Sequence, residues 1–273
     1  MADHNRRREF GDIVTVEAWH NPFDVQVERV DLHVDVVFGG GRIGGEPEAP
    51  VRFRLALKQA EVVVIVPTGE PARVDIRSVR RDAPTIKAKA TETRKTSRKA
   101  SLGAGIGLGV SQKGAKASAK VDAKGSATTS RDEVVTIAKA LQGMTFVQSQ
   151  TPDNHYKWTI TPAIGATLDG RPWDAAASPV LQLVDTRPDR SKSIPPSTRV
   201  EIRCRREDLL ISDIVLKDEP GWEAMRKKVF HRNREATAEA IIRTKLLAEG
   251  LFCGDLSDPF TYMTLAVIVP DTL

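Results

Sequence analysis

In VERVDLHVDVVF (27–38), Val30, Leu32, Val34 and Val36 alternate with Asp31, His33 and Asp35. Successive side chains of a strand point to opposite faces, so a period of two marks a strand with one buried and one wet face. VRFRLALK (51–58) repeats the pattern, with Val51, Phe53 and Leu55 against Arg52 and Arg54. Between them GGGRIGGEPEAP (39–50) reads as the long mobile loop of a hairpin, which sets the acids of one strand beside the arginines of the next. EVVVIV (61–66), β-branched and uninterrupted up to Pro67, predicts a strand buried on both faces. RVDIRSV (73–79), EVVTIA (133–138), MTFVQSQ (144–150), HYKWTIT (155–161) and VLQLVD (180–185) follow, separated by turn residues. RVEIRCR (199–205) and DLLISDIVL (208–216) flank the Arg206-Glu207 corner and read as a second hairpin. The expected fold is mainly β, a sandwich or open barrel of antiparallel strands.

Two stretches break the rhythm. From Pro220 to Glu249 helix formers dominate, and Trp222, Met225, Val229, Ile241, Ile242, Leu246 and Leu247 recur at helical spacing. Glu235, Glu239 and Arg243 share the wet side, Gly250 is a natural stop, and TYMTLAVIV (261–269) predicts a last strand. The other stretch is 85–131, a basic Gly/Ala/Lys-rich insertion expected to leave the core as a long hairpin or a disordered arm. The expected organisation is a flexible N-terminus at 1–10, a β domain of 11–84 and 132–217, the insertion, and a helix and strand at 218–273 that complete the domain.

The net charge of +5 hides an asymmetry: residues 85–131 hold eleven Lys and Arg against Glu92 and Asp122, a net +9, which leaves −4 on the rest. Basicity confined to one low-complexity segment points to contact with an anionic partner, a nucleic acid or an anionic lipid surface. Lys87, Lys89, Lys95, Lys99, Lys113, Lys116, Lys120 and Lys124 are the expected contact residues. No Phe, Tyr, Trp or His occurs between 85 and 131, so base stacking is unavailable and binding is expected without sequence specificity. A solvated arm with no dedicated partner is the plain alternative.

Within the insertion, LGAGIGLGVSQKG (102–114) carries glycine at every second position from Gly103 to Gly109. It is not a dinucleotide loop: Leu108 or Val110 stands where the third glycine of Gly-x-Gly-x-x-Gly belongs. Nor is it a Walker A loop, because Gly109 and Gly114 have the spacing but Ala115 stands where the lysine is required. Strict alternation suits an extended chain with Ala104, Ile106, Leu108 and Val110 on one face. Ile106, Leu108 and Val110 are therefore the candidate membrane tip of a pore-forming type of effector, the second functional reading.

Catalysis has little support. Gly-x-Ser-x-Gly, His-Glu-x-x-His and Cys-x-x-Cys are all absent, and His20, His155 and His231 have no catalytic company in sequence. Asp31, His33 and Asp35 share a face, but Arg52 and Arg54 on the expected neighbour favour charge pairing over metal ligation. Trp173, among turn residues, is expected to fold back over the edge of the core. Arg226, Lys227, Lys228, Arg232 and Arg234 read as a wet helix face. Cys204 and Cys253 are too few for a disulfide framework or a zinc site, and no apolar run reaches membrane-spanning or signal-peptide length. The sequence thus predicts a non-catalytic interaction protein without cofactor or metal, cytoplasmic or peripheral at a membrane, with a protein partner or self-association also open. An enzyme without a motif is the third reading.

Overall fold

A computed structural model describes residues 6–45, 49–81, 93–94, 135–136, 143–191, 194–217 and 231–273. The chain divides into two units, one formed by Met1–Ile86 with Gln142–Leu273 and the other by Lys87–Leu141. In the first unit the elements are β1 (Arg6–Arg8), β2 (Val14–His20), β3 (Arg29–Phe38), β4 (Gly41–Ile43), β5 (Val51–Leu57), β6 (Ala60–Ile65) and β7 (Ala72–Asp75). The second unit holds β8 (Thr93–Arg94) and β9 (Val135–Thr136). The first unit then continues with β10 (Met144–Gln150), β11 (Tyr156–Pro162), β12 (Leu181–Asp185), β13 (Arg199–Arg205), β14 (Leu209–Leu216), helix α1 (His231–Ala248), β15 (Tyr262–Ile268) and β16 (Asp271–Thr272).

The first unit is mainly β. Its sheets run β1-β15-β13-β6-β11-β10, β16-β2-β3-β12-β7 and β14-β5-β4. Every pairing in them is antiparallel except β16 with β2. The expected alternation is realised: Val30, Leu32, Val34, Val36 and Phe38 of β3 are buried, as are Val51, Phe53, Leu55 and Leu57 of β5. β6 lies inside its sheet between β13 and β11 with Val62, Val63, Val64 and Ile65 all buried, as its unbroken apolar run predicts. Side chains from all three sheets and from α1 meet in one core centred on residues such as Trp158, Phe53, Leu183, Ile202 and Ile242. Burying a large aliphatic or aromatic side chain contributes about 1.5–3 kcal/mol, so this shared core ties the sheets together.

Both expected hairpins are corrected. β3 pairs with β2 and β12, whereas β5 pairs with β4 and β14. Gly39 to Gly41 is therefore a crossing from one sheet to another, not a mobile loop. A Cβ on Gly39 would stand 2.9 Å from the Asp12 carbonyl oxygen and one on Gly41 2.8 Å from Asp12 Cβ, so the crossing is too close for side chains. Likewise β13 and β14 lie in different sheets, and the 3-10 turn Arg206–Asp208 between them carries the chain across.

Other boundaries shift as well. Residues expected in a flexible N-terminus include β1, which pairs with β15, and the buried Phe10. EVVTIA contributes Val135–Thr136, paired with Thr93–Arg94 in the second unit instead of in the β domain. RVDIRSV is a strand only as far as Asp75, because the Asp75 side chain accepts from Arg77 N–H and turns the chain. The helix is described from His231, buries Ala238, Ile242 and Leu246, and ends where Gly250 adopts φ +69°. Leu247, expected on the apolar stripe, is exposed. Residues 218–230, with Trp222, Met225, Val229, Arg226, Lys227 and Lys228, lie outside the described residues. Arg234, expected on a wet face, is buried.

Candidate functional site

All eight candidate lysines, Lys87, Lys89, Lys95, Lys99, Lys113, Lys116, Lys120 and Lys124, lie outside the described residues, as do Ile106, Leu108 and Val110. What is described of the second unit is the antiparallel pairing of Thr93 with Thr136 and of Arg94 with Val135.

The β unit holds firmly the two points where the chain leaves for this segment and returns. Arg80 N–H donates to the Val180 carbonyl at 2.9 Å, and the Arg80 carbonyl accepts from Trp158 Nε1 at 2.8 Å. The Arg80 guanidinium lies 5.8 Å from the ring centres of both Phe146 and Trp173. On the return, the Gly143 carbonyl accepts from Ala163 N–H at 2.6 Å, and Met144 opens β10 opposite Pro162. Trp173 is buried as expected, donating its indole N–H to the Val34 carbonyl at 2.7 Å and standing edge-on to Phe146 and Trp158.

Beside Arg80 and Met144 opens a cavity of about 650 Å³, lined also by Trp19, Asp35, Arg171, Trp173 and Asp174. Trp19 stacks on His33 at 5.4 Å with the rings 4° from parallel. Arg171 donates through Nε to both Asp35 oxygens, at 3.0 and 3.2 Å. Asp174 is occupied with the Ala176 and Ala177 N–H groups. Two guanidiniums, two carboxylates and two indoles give this cavity balanced charge and flat apolar walls, without a lone anion site or an activated nucleophile.

The Asp31, His33, Asp35 face is paired, but not by Arg52 and Arg54, whose strand lies in another sheet. Asp31 accepts from Gln182 at 2.8 Å, His33 Nδ1 lies 2.7 Å from the Ala175 carbonyl, and Asp35 takes Arg171. Among the described residues no group of three His, Cys, Asp or Glu side chains is placed to hold a metal ion. Cys204 and Cys253 are free and buried, and burial pushes both thiols above the usual thiol range. No helix among the described residues is long and apolar enough to cross a membrane.

Trp19, Arg80 and Arg171 escaped sequence reasoning because each comes from a different element and no local spacing links them. The one local signal was Trp173, a large aromatic among turn residues. The chain matches no protein-family model, no curated protein and no solved structure.

Proposed function

We propose that the protein acts at an anionic membrane surface through residues 85–131, whose lysines attach it and whose apolar side chains enter the lipid. The observation that carries this reading is the register at the base of the segment. Thr93 with Thr136 and Arg94 with Val135 are pairs whose residue numbers both sum to 229. Carried along the sequence as an unbroken ladder, that register would make Lys113 and Lys116 the last pair, with Gly114 and Ala115 as a two-residue loop. Glycine at the first loop position is the mark of a type II′ hairpin turn.

The same register sorts the side chains. It would set Leu102 opposite Ala127, Ala104 opposite Gly125, Ile106 opposite Ala123, Leu108 opposite Val121 and Val110 opposite Ala119. That face is without charge over a length close to the ~9–11 residues a strand needs to cross a bilayer. The other face opposes Gly105, Gly107 and Gly109 to Lys124, Asp122 and Lys120, leaving room for the lysine stems over the glycines. Lys113 and Lys116 beside the loop, with Lys87, Lys89, Lys95 and Lys99 nearer the base, supply attraction to anionic headgroups. In this reading Ile106, Leu108 and Val110 form the inserted face and not the tip, and the β unit is a sandwich that carries the hairpin. A nucleic acid is the competing anionic partner, but it gives the apolar face no role and finds no aromatic to stack on.

Phosphatidylglycerol vesicles loaded with a self-quenching dye test the reading, before and after limited proteolysis. Wild type is expected to bind them, to lose binding as salt rises, and to release dye. Leu108→Glu should keep binding and lose release. Tight binding to oligonucleotides with no dye release under any of these conditions overturns the membrane reading in favour of the nucleic-acid one.

A further inference from the structure

The outer face of the six-stranded sheet carries a second cationic feature, built entirely from the β unit. Arg7 of β1 is opposite Val267 of β15, which is opposite Glu201 of β13, so the three stand in one row across the strands. Arg199 and Arg203 flank Glu201 along β13. Glu201 is buried, and both arginines are held by it: Arg203 donates from Nε at 2.8 Å and Nη2 at 2.7 Å to Oε2, and Arg199 Nε lies 2.9 Å from Oε1. The Arg203 guanidinium also lies 5.5 Å from the centre of the Tyr262 ring, which stacks on Phe252 at 4.6 Å. Around this chain of contacts is a recess of about 400 Å³ lined by Arg7, Arg199, Glu201, Arg203, Phe252 and Tyr262, with Thr264 and Val267 among its other walls.

We propose that this recess binds a phosphate ester, the phosphate held by Arg7, Arg199 and Arg203 and the organic part lying on Phe252 and Tyr262. Three guanidiniums face one carboxylate, leaving the recess two positive charges in excess. Arg7 meets only the Gly250 carbonyl, at 3.5 Å, among the described residues. Glu201 engages one edge of Arg199 and Arg203 and leaves their remaining N–H groups available, in a fork geometry that suits phosphate oxygens. Because Glu201 and Tyr262 already fix Arg203, little side-chain freedom is lost on binding. Phe252 and Tyr262 are 50% and 45% exposed, an aromatic pair beside a cationic pocket. That combination fits the headgroup level of a membrane, where aromatic rings sit below anionic phosphates. The phosphate is therefore that of a lipid headgroup or of a soluble ester of the same chemistry; the lipid source rests on the membrane reading above.

Calorimetric titration of the full-length protein with glycerol 3-phosphate tests the recess apart from the hairpin, and phosphatidic-acid vesicles test the lipid source. Saturable 1:1 binding of the soluble ester is expected, weakened about tenfold or more by Arg7→Ala or Arg199→Ala, since a hydrogen bond to a charged group is worth that much. Both variants must melt as wild type does; Arg199→Lys is the substitute if Arg199→Ala does not. Phe252→Ala should weaken binding to the vesicles strongly and binding of glycerol 3-phosphate only slightly, because the small glycerol part covers little of the ring. No saturable binding of either probe, or wild-type affinities in both arginine variants, overturns the proposal whatever the hairpin does. Dye release lost in Leu108→Glu with ester binding intact separates failure of the hairpin from failure of the recess.

Discussion

Thr93 stands opposite Thr136, and the next pair in the ladder is Arg94 with Val135. A strand pairing shifted by one residue exchanges the two faces of every side chain, so in the proposed hairpin the register at this base would set which residues share a face. Cysteines at Ile106 and Ala123, whose numbers sum to the same 229, should oxidise to an intramolecular disulfide in the membrane-bound protein. Cysteines at Ile106 and Val121 should not, because directly opposed residues fall within the Cα separation a disulfide tolerates and diagonal ones do not. Peptide mapping by mass spectrometry reads the outcome. Equal crosslinking of the two pairs, or preference for the second, excludes the register.

The native cysteines should stay out of that experiment. Cys204 lies in the core, where burial, with the nearby Asp208, Cys253 and Glu61, raises its thiol well above the ordinary range. Cys253 is raised by burial too, opposed by Arg243. The thiolate is the reacting species, so neither cysteine should react until the unit opens. Iodoacetamide at about pH 8 should alkylate both at least about a hundredfold more slowly in the native protein than in urea, given opening free energies of a few kcal/mol or more. Rapid labelling of Cys204 in the native state contradicts this packing.

Arg206 links the helix to the turn between β13 and β14. It donates from Nη2 to Glu235 Oε1 at 2.6 Å and from Nε to Glu239 Oε1 at 2.6 Å. Glu235 and Glu239, read as the wet side, border the docked face of Ala238, Ile242 and Leu246 and grip a guanidinium that is 13% exposed. Arg206→Ala should destabilise by about 1–3 kcal/mol, the range for charged hydrogen bonds partly shielded from water. A double-mutant cycle with Glu239→Ala should show coupling, whereas the more exposed Glu235 contributes less. Urea unfolding followed by far-ultraviolet dichroism measures both, and additive effects of the two substitutions would falsify the clamp.

Strands were legible in the sequence because alternation is local. MTFVQSQ is β10 to the residue, and of Tyr156, Trp158 and Ile160, which alternate on one face of HYKWTIT, Trp158 and Ile160 are buried and Tyr156 is half-buried. Partners were not legible, because they depend on which remote faces match. The alternation of β3 suits β5 as well as it suits β2, and only the Gly39 to Gly41 crossing over Asp12 decides between them. The Arg206-Glu207 corner suits a hairpin or a change of sheet, and the Leu57 pairing of Leu209 selects the second. Site residues fare similarly. Arg7, Arg199 and Arg203 become neighbours only once β1, β15 and β13 are side by side.

Asp185 and Arg187 form the most deeply buried ion pair described, with side chains 0% and 2% exposed. Asp185 accepts from Arg187 backbone N–H at 2.9 Å and from its Nη2 at 2.7 Å, and Arg190 Nε stands 3.8 Å away. Burial alone pushes the Asp185 carboxyl up, but the Arg187 hydrogen bonds and the charges of Arg187 and Arg190 outweigh it and hold it below the ordinary carboxylate value. A carboxyl whose folded value is depressed contributes stability that is complete above its unfolded pKa, about 3.9, and is lost as pH falls through the lower folded value. Asp185→Asn removes the carboxylate that binds the Arg187 guanidinium and should lower stability at neutral pH. The deficit should shrink as pH falls from about 4 toward the lower folded value, below which wild type also loses the carboxylate. Adding Arg187→Met to Asp185→Asn should recover part of the loss, because replacing both charges removes the uncompensated one. Urea unfolding at pH 7 and pH 3 distinguishes these cases: a deficit of equal size at both values means the side chain acts through packing and not through charge.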